Sequence, residues 1–406
     1  MSNIPPGFQK TEVGIIPSDW TTKKITDIAE ICTGNTPPTS DQNNYGNDFL
    51  FVTPADLGKE RIIKNTEKKL SKKGFNLSRK YPKNSILFTC IGSTIGKSGI
   101  TDRELTSNQQ INAIFPNSTF DSDYLYYILS LFSNRIKKTA GETAVPIINK
   151  TEFGETLVPL PPTKAEQTAI ATALNDADKL ITELEKLIAK KRNIKQGAMQ
   201  ELLRPKEGWE EKEFNGKLGD LFQISPSRKP IGIEEIVTFI GMEDVSGNGK
   251  VIKHNLLPFA EIKKGLTYFE KNDVLVAKIT PCFENGKGAC LDNLKTEKGF
   301  GSTEFHILRT NSNAVPRYVF YHTQSERFRR KLEAEMVGSA GQKRVAVAAI
   351  LNYPLIVPSK AEQTRIAQIL SDMDTKIEAL EKKLEKYKML KQGMMQELLT
   401  GKTRLI

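Results

Sequence analysis

Residues Pro162 to Leu203 read PTKAEQTAIATALNDADKLITELEKLIAKKRNIKQGAMQELL, and residues Pro358 to Leu399 read PSKAEQTRIAQILSDMDTKIEALEKKLEKYKMLKQGMMQELL. The two stretches align without a gap at an offset of 196 residues, and 24 of their 42 positions are identical. A gapless repeat of that length marks an internal duplication. Each copy closes one half of a 406-residue chain, so the protein is built from two halves, each ending in the same element.

That element reads as a long helix. Thr163 with Glu166, and Ser359 with Glu362, form capping boxes at the two starts. Apolar residues recur at Leu174, Ala177, Ile181, Leu184, Ile188, Ile194, Ala198 and Leu202 in the first copy. In the second they recur at Leu370, Met373, Ile377, Leu380, Leu384, Tyr387, Leu390, Met394 and Leu398. The mostly 3-4 spacing predicts a heptad seam, which Lys191 and Lys195 weaken late in the first copy. Gly197 and Gly393 interrupt the two helices at matched places and suggest a bend or a close contact, and Pro205 ends the first helix. A seam needs a partner. Either the copies pair antiparallel as a rod of roughly 60 Å with a globular domain at each end, or each helix folds onto its own domain. The heptads favour the rod.

Composition bounds the rest. With 38% hydrophobic and 26% charged residues the chain is of ordinary soluble type and long enough for two to four domains. No apolar run reaches eighteen residues, and the start, MSNIPPGFQKTEVG, has no signal core. The expected location is the cytoplasm, with no membrane partner. Cys32, Cys90, Cys282 and Cys290 form no C-x-x-C pair, and His254, His306 and His322 lie apart from them in sequence, so free thiols and no metal site are expected. The net charge of +11 is spread evenly: the segments 1–158, 159–206, 207–354 and 355–406 carry +3, +3, +2 and +3. A surplus without a basic tail suits a folded protein that follows a polyanion along its length.

The expected architecture is α+β: two similar mixed α/β domains, 1–160 and 206–356, separated by long helices in 161–205 and 357–406 that form an antiparallel coiled coil with internal pseudo-twofold symmetry. In the first domain, residues 1–19 read as an extended arm, 33–48 as a loop, 84–92 and 111–116 as buried strands, and 121–141 as a helix. The second half repeats these landmarks: Trp20 with Trp209, NSILF (84–88) with NDVLV (272–276), Gly96–Lys97 with Gly286–Lys287, and DYLYYIL (123–129) with RYVFYHT (317–323). Sequence drift is heavy between the landmarks and slight in the helices. Two domains of one fold therefore carry different surfaces.

No catalytic pattern emerges. GSTIGKS (92–98) has three residues between Gly92 and Gly96 where a phosphate-binding loop has four. There is no N-P-P-[YF] methyltransferase motif, no Gly-rich cofactor turn after a strand, and no acid pair with Lys downstream of PAD (54–56). Binding rather than catalysis is expected, with no cofactor in this chain. Cations on loops contact phosphates, and amides or guanidinium groups read base edges. The residues in such places are Thr36, Lys72, Lys73, Ser93, Thr94, Lys97, Asn108 and Gln109 in the first half, and Arg228, Lys229, Lys278, Lys287, Gln342, Lys343 and Arg344 in the second.

The pattern P-x-K-A-E-Q-T-x-I-A…K-Q-G-x-M-Q-E-L-L, found twice and each time behind a mixed domain that begins near a Trp, resembles the DNA-specificity subunit of type I restriction–modification systems across essentially the whole chain. The resemblance implies two target-recognition domains that each read one half of a split double-stranded DNA site. It implies a coiled coil that sets the spacer and docks modification subunits, two of them expected. It also implies a separate restriction and translocation subunit, with S-adenosylmethionine, ATP and Mg on the partners. The helix residues it assigns to spacing and docking are Glu166, Gln167, Ile181, Leu184, Ile188, Gln196 and Glu201, with Glu362, Gln363, Ile377, Leu380, Leu384, Gln392 and Glu397. Two other readings stand beside it: a self-contained methyltransferase or nuclease, and a coiled-coil scaffold unrelated to DNA.

Overall fold

The computed structural model describes residues 4–141, 144–204, 215–223, 227–339 and 341–405. Pro205 and Trp209 lie outside the described residues. The chain forms two compact units, one of Met1–Glu185 with Lys382–Ile406 and the other of Lys186–Glu381. The division runs through both long helices, Lys164–Leu202 and Lys360–Leu398, rather than at their ends. Each unit thus holds a globular domain, the start of the helix that follows it, and the end of the other helix.

In the first unit a five-stranded sheet runs in the order Ile31–Thr33, Ile111–Ile114, Ile86–Thr89, Ser98–Thr101, Ile62–Ile63. A three-stranded sheet of Thr106–Ser107, Tyr45–Val52 and Lys68–Leu70 lies in the same unit. The apolar runs at 86–89 and 111–114 are buried on both faces, as continuous hydrophobic strands require. The helix Ser122–Lys138 is capped by Asp121, whose side chain accepts from the Tyr124 N–H at 3.0 Å. Its buried face, Tyr124, Leu125 and Ile128, shares one core with Phe88, Phe153 and Trp20, with Ile170 and Leu174 of the first long helix, and with Leu398 at the end of the second and Leu399 just beyond it.

The arm expected at 1–19 is instead a β-hairpin, Phe8–Thr11 with Gly14–Pro17. Its Pro-rich flanks conceal the short strands. Trp20, at the hairpin's exit, is buried against the far end of the chain: Gly401 holds φ +70°, and a Cβ there would come to 2.4 Å from Pro17. Arg404 lies over the Trp20 ring at 5.8 Å, pairs with Asp19 at 3.0 Å, and also holds Glu166.

In the second unit a four-stranded sheet has the order Asn255–Pro258, Ile236–Ile240, Lys298–Gly301, Thr267–Glu270, and a three-stranded sheet the order Gly288–Cys290, Val274–Ala277, Phe305–Leu308. The segment matching the first unit's single helix is broken in two, Pro316–Gln324 and Glu326–Ala334. Ser325 breaks it with extended backbone and caps the second piece by accepting from the Phe328 N–H at 3.3 Å.

The two long helices run antiparallel within each unit. In the first, Asp178 meets Lys391 at 2.5 Å and Glu185 meets Lys388 at 3.2 Å. In the second, Arg192 meets Glu381 at 2.7 Å and Lys195 meets Asp374 at 2.5 Å. Of the expected seam, Leu174, Leu184, Ile188, Leu370, Ile377 and Leu398 are buried, while Ile181, Leu380 and Leu384 are half-buried. Ile194 and Leu390 are exposed at 46% and 53%, a correction to the seam. The Lys195–Asp374 and Lys391–Asp178 pairs hold the helices together near those positions. Gly197 and Gly393 have nothing within 4 Å of a built Cβ, so no close contact among the described residues accounts for either glycine.

Candidate nucleic-acid interface

Each globular domain carries a rim made by three chain segments that are distant in sequence. In the first unit, Cys90 N–H donates to the Gln110 carbonyl at 2.8 Å, Gly92 N–H to Pro146 at 2.9 Å, and Ile148 N–H to Cys90 at 2.9 Å. In the second unit, Lys278 N–H donates to the Glu304 carbonyl at 2.8 Å, Thr280 N–H to Lys343 at 3.0 Å, and Val345 N–H to Lys278 at 3.0 Å. The isolated bridges Ile91–Ile147 and Ile279–Arg344 occupy the same place in the two meshes. The returning turns also correspond: Thr89 N–H meets the Lys97 carbonyl at 2.8 Å, and Ala277 N–H meets that of Lys287 at 3.0 Å. Gly96 and Gly286, which precede these lysines, both hold positive φ, at +99° and +72°, which only glycine adopts at low cost. The main-chain mesh is therefore conserved between the halves while its side chains change. Gln110 becomes Glu304, Ile147 becomes Arg344, Pro146 becomes Lys343 and Cys90 becomes Lys278.

Around the first rim the structure brings several sequence-selected residues together. Thr36 Oγ1 lies 2.7 Å from Gln109 Oε1, and Asn108 Nδ2 donates to Gln110 Oε1 at 2.9 Å. Asn35 and Arg79, which the sequence reading passed over, tie this loop to the short basic helix Lys72–Leu77: Asn35 Nδ2 donates to the Leu77 carbonyl at 3.0 Å, and Arg79 N–H donates to Asn35 Oδ1 at 2.7 Å. Lys72 is exposed on that helix, but Lys73 already faces Asp41 at 2.6 Å. Ser93 and Lys97 are exposed and Thr94 half-buried on the turn before Ser98–Thr101, where the Ser93 carbonyl accepts from Lys137 at 3.2 Å.

In the second unit the cations are more committed than their sequence context suggested. Lys229 pairs with Glu270 at 2.7 Å, and Arg228 lies over the Tyr268 ring at 5.6 Å. Burial opposes ionisation of Glu270, yet its contacts with Lys229, Tyr268 and Arg309 hold its carboxyl below the ordinary value. Lys278 donates to the Thr303 carbonyl at 2.7 Å and is pushed down by burial. Lys287 donates to the Met242 carbonyl at 2.9 Å. Lys343 and Gln342 are exposed. Arg344 forms a two-point pair with Glu304, at 3.0 and 2.9 Å, and this pair holds the Glu304 carboxyl below its usual range. Lys73, Lys229, Lys278 and Lys287 are thus engaged with their own chain, and Lys72, Lys97, Gln342, Lys343 and part of Arg344 remain presented to solvent.

The helix residues divide the same way. Gln167 is buried, its Oε1 accepting from the Asp121 N–H at 2.9 Å. Gln363 does the equivalent with the Val315 N–H at 3.0 Å, and its Nε2 also donates to Asn313 and Pro358 carbonyls at 3.0 and 3.1 Å. Glu166 is buried under Arg404. Within this chain these three hold a long helix to its own unit. The Gln of the repeated Glu-Gln pair anchors each long helix the same way, whereas Glu362 pairs with Arg365 of its own helix at 2.7 Å. Gln196, Glu201, Gln392 and Glu397 are exposed, and among them lie Gly197 and Gly393.

A tyrosine, an aspartate and a lysine whose contact the sequence does not announce recur in both units. Tyr127 donates to Asp178 at 2.7 Å, and Lys391 caps the same carboxylate at 2.5 Å while lying 5.4 Å from the Tyr127 ring. Tyr321, Asp374 and Lys195 repeat this at 2.8, 2.5 and 5.3 Å. Burial and the neighbouring carboxylate push both phenols far above their ordinary value. The signal was available in the sequence: Asp178 and Asp374 are identical between the repeats, as are Lys195 and Lys391.

No helix among the described residues is long and apolar enough to cross a membrane. The family model "Type I restriction modification DNA specificity domain" matches residues 17–196 and, a second time, 206–388. The sequence is 33% identical over 210 residues to the type I restriction enzyme EcoEI specificity subunit of Escherichia coli, a match covering 48% of this chain and 35% of that protein. It is 23% identical over 412 residues to the type I restriction enzyme MjaVIII specificity subunit of Methanocaldococcus jannaschii, covering 96% of this chain and 94% of that one. The fold is similar to the crystal structure of a type I restriction-modification system S subunit from M. genitalium, with TM-score 0.59, 16% identity, and coverage of 93% of this chain and 96% of that chain. The chain spans about a third of the length of the EcoEI relative, which it matches at the higher identity.

Proposed function

The chain belongs to the type I restriction modification DNA specificity family, and on that premise we propose that it is the DNA sequence-specificity subunit of a type I restriction–modification complex. Each globular domain reads one half of a bipartite double-stranded DNA site. The carrying observation is the rim: one main-chain mesh built twice, with different side chains on each copy. A shared scaffold with unlike surfaces is what two readers of unlike half-sites require, since main-chain and phosphate contacts position a protein while side chains at base edges specify.

The long helices set the spacing between the half-sites and dock two modification subunits. Gly197 and Gly393 support the docking. Each is exposed in a helix interior, where glycine costs about 1 kcal/mol relative to alanine, and among the described residues nothing beyond the helix's own neighbouring backbone comes within 4 Å of a built Cβ. A close-packed partner helix would account for both. The subunit acts in the cytoplasm and carries no catalysis of its own. S-adenosylmethionine, ATP and Mg belong to the modification and restriction subunits.

The test lengthens the helices. Whole heptads inserted together after Glu185 and after Glu381 should lengthen the non-specific spacer of the methylated site without changing either half-site. An unchanged spacer would remove the spacing role. Methyl transfer to DNA by the purified chain alone would favour the self-contained enzyme instead.

A further inference from the structure

We propose that Arg344 is a specificity-determining residue that reads one guanine, and that Glu304 is the positioning residue that aims it; the inference rests on the reading of the second unit as a DNA reader. The Glu304 carboxylate occupies one edge of the guanidinium, with Nε to Oε2 at 3.0 Å and Nη2 to Oε1 at 2.9 Å. A guanidinium is planar and carries five N–H groups in a fixed fork. A carboxylate on the Nε–Nη2 edge leaves the Nη1–Nη2 end, with two parallel N–H groups, for a second acceptor pair. The Gln342 carbonyl, 3.4 Å from Nη1, takes at most one of the remaining hydrogens. Among the described residues the Gln342 carbonyl is the one acceptor at that end, and the Arg344 side chain as a whole is 46% exposed.

Both backbones are pinned. Arg344 bridges Ile279 on one side and Val337 on the other, and donates its N–H to the Val337 carbonyl at 2.9 Å. Glu304 is held through its carbonyl by the Lys278 N–H at 2.8 Å. An exposed arginine normally samples many rotamers, whereas this one is fixed at both ends of its ion pair. Guanine offers O6 and N7 side by side in the major groove, the acceptor pair that matches the fork, while adenine presents a donor beside N7 and opposes it. The first unit holds Gln110 and Ile147 at the two equivalent mesh positions, so its rim lacks this guanidinium and reads its half-site by other groups.

The complex of this chain with its modification subunits should be tested on DNA randomised in the half-site that changes when residues 207–354 are exchanged. The wild type should demand guanine at one position. Arg344→Ala should relax that position alone by roughly 10- to 100-fold, and Arg344→Lys, which keeps the charge but not the fork, should relax it too. Glu304→Gln should weaken the same position, and the double variant Glu304→Gln/Arg344→Ala should be no worse than Arg344→Ala. The proposal is overturned if Arg344→Lys, folded and assembled, keeps every base preference. It is equally overturned if affinity falls by one factor on all sequences, as loss of a phosphate contact would give. A wild-type complex with no base preference in either half would instead defeat the underlying reading of the chain as a specificity subunit.

Discussion

Lys391 stands 2.5 Å from Asp178, and Lys195 stands 2.5 Å from Asp374, so each long helix gives the other the same ion pair once in each unit. The pairs are largely shielded, with side chains between 17% and 27% exposed, and each carboxylate also accepts from a domain tyrosine, Tyr127 or Tyr321. One carboxylate therefore ties three elements together. Lys391→Met should destabilise the first unit by about 1–3 kcal/mol, because it leaves a poorly solvated charge without its cation. Removing the exposed Lys388 partner of Glu185 should cost under about 1 kcal/mol. Urea denaturation of the two variants compares them directly, and equal losses would show that the Lys391 pair has no special structural weight.

Gln363 joins the start of the second long helix to the domain before it through two hydrogen bonds, to Val315 and Asn313, with a third to Pro358 just ahead of the helix, all from a side chain 1% exposed. Gln363→Ala removes the partner of a half-buried N–H and of two carbonyls, and should cost about 1–3 kcal/mol. Gln392→Ala, at an exposed position of the same helix, should change stability by less than about 0.5 kcal/mol. Thermal melts that rank the two in the opposite order would refute the anchoring role.

Gly197 and Gly393 separate folding from assembly. Alanine at either position meets no atom of another described element within 4 Å, and should stabilise the isolated subunit by up to about 1 kcal/mol. The same substitutions should weaken binding of the modification subunits, measured by titration calorimetry, if a partner backbone approaches there. Unaltered affinity in the double variant would place the docking surface elsewhere on the helices.

Burial lowers the His322 imidazole from 6.5 to about 3, with Arg327 adding to the effect. Between those values the unfolded chain binds a proton that the folded chain refuses. Stability should therefore fall as pH drops from 6.5 toward 3, by up to about 1.4 kcal/mol per pH unit for this group. Burial also lowers His254 and His306, so the full slope has more than one source. Ile128 stands at the matching place in the first unit, and His322→Ile should reduce the acid slope by one proton's share. Denaturation curves at pH 7 and pH 5 decide this; an undiminished slope would mean that His322 does not titrate on unfolding.

The duplication, the two helices and the buried strands were legible because local signals set them. Capping boxes put the helix starts within two residues of Lys164 and Lys360, and apolar runs marked 86–89 and 111–114. The N-terminal hairpin was not legible, since two four-residue strands between prolines carry too little pattern. Lys195 looked like a defect in an apolar seam because its partner, Asp374, is 179 residues away. The same distance problem governs the rims. Thr36 and Gln109 were each selected, but their contact was not foreseen, and the sequence around Arg344 gave no sign that Glu304, 40 residues earlier, holds it.

The central claim is that two domains on one scaffold read two separate half-sites. It is tested most directly by mapping methylated adenines in cells that express the complete complex, first with this chain and then with residues 207–354 exchanged for the corresponding segment of a relative. The expected result is a bipartite site in which one half changes and the other half and the spacer stay the same. A change in both halves, or in neither, would contradict it.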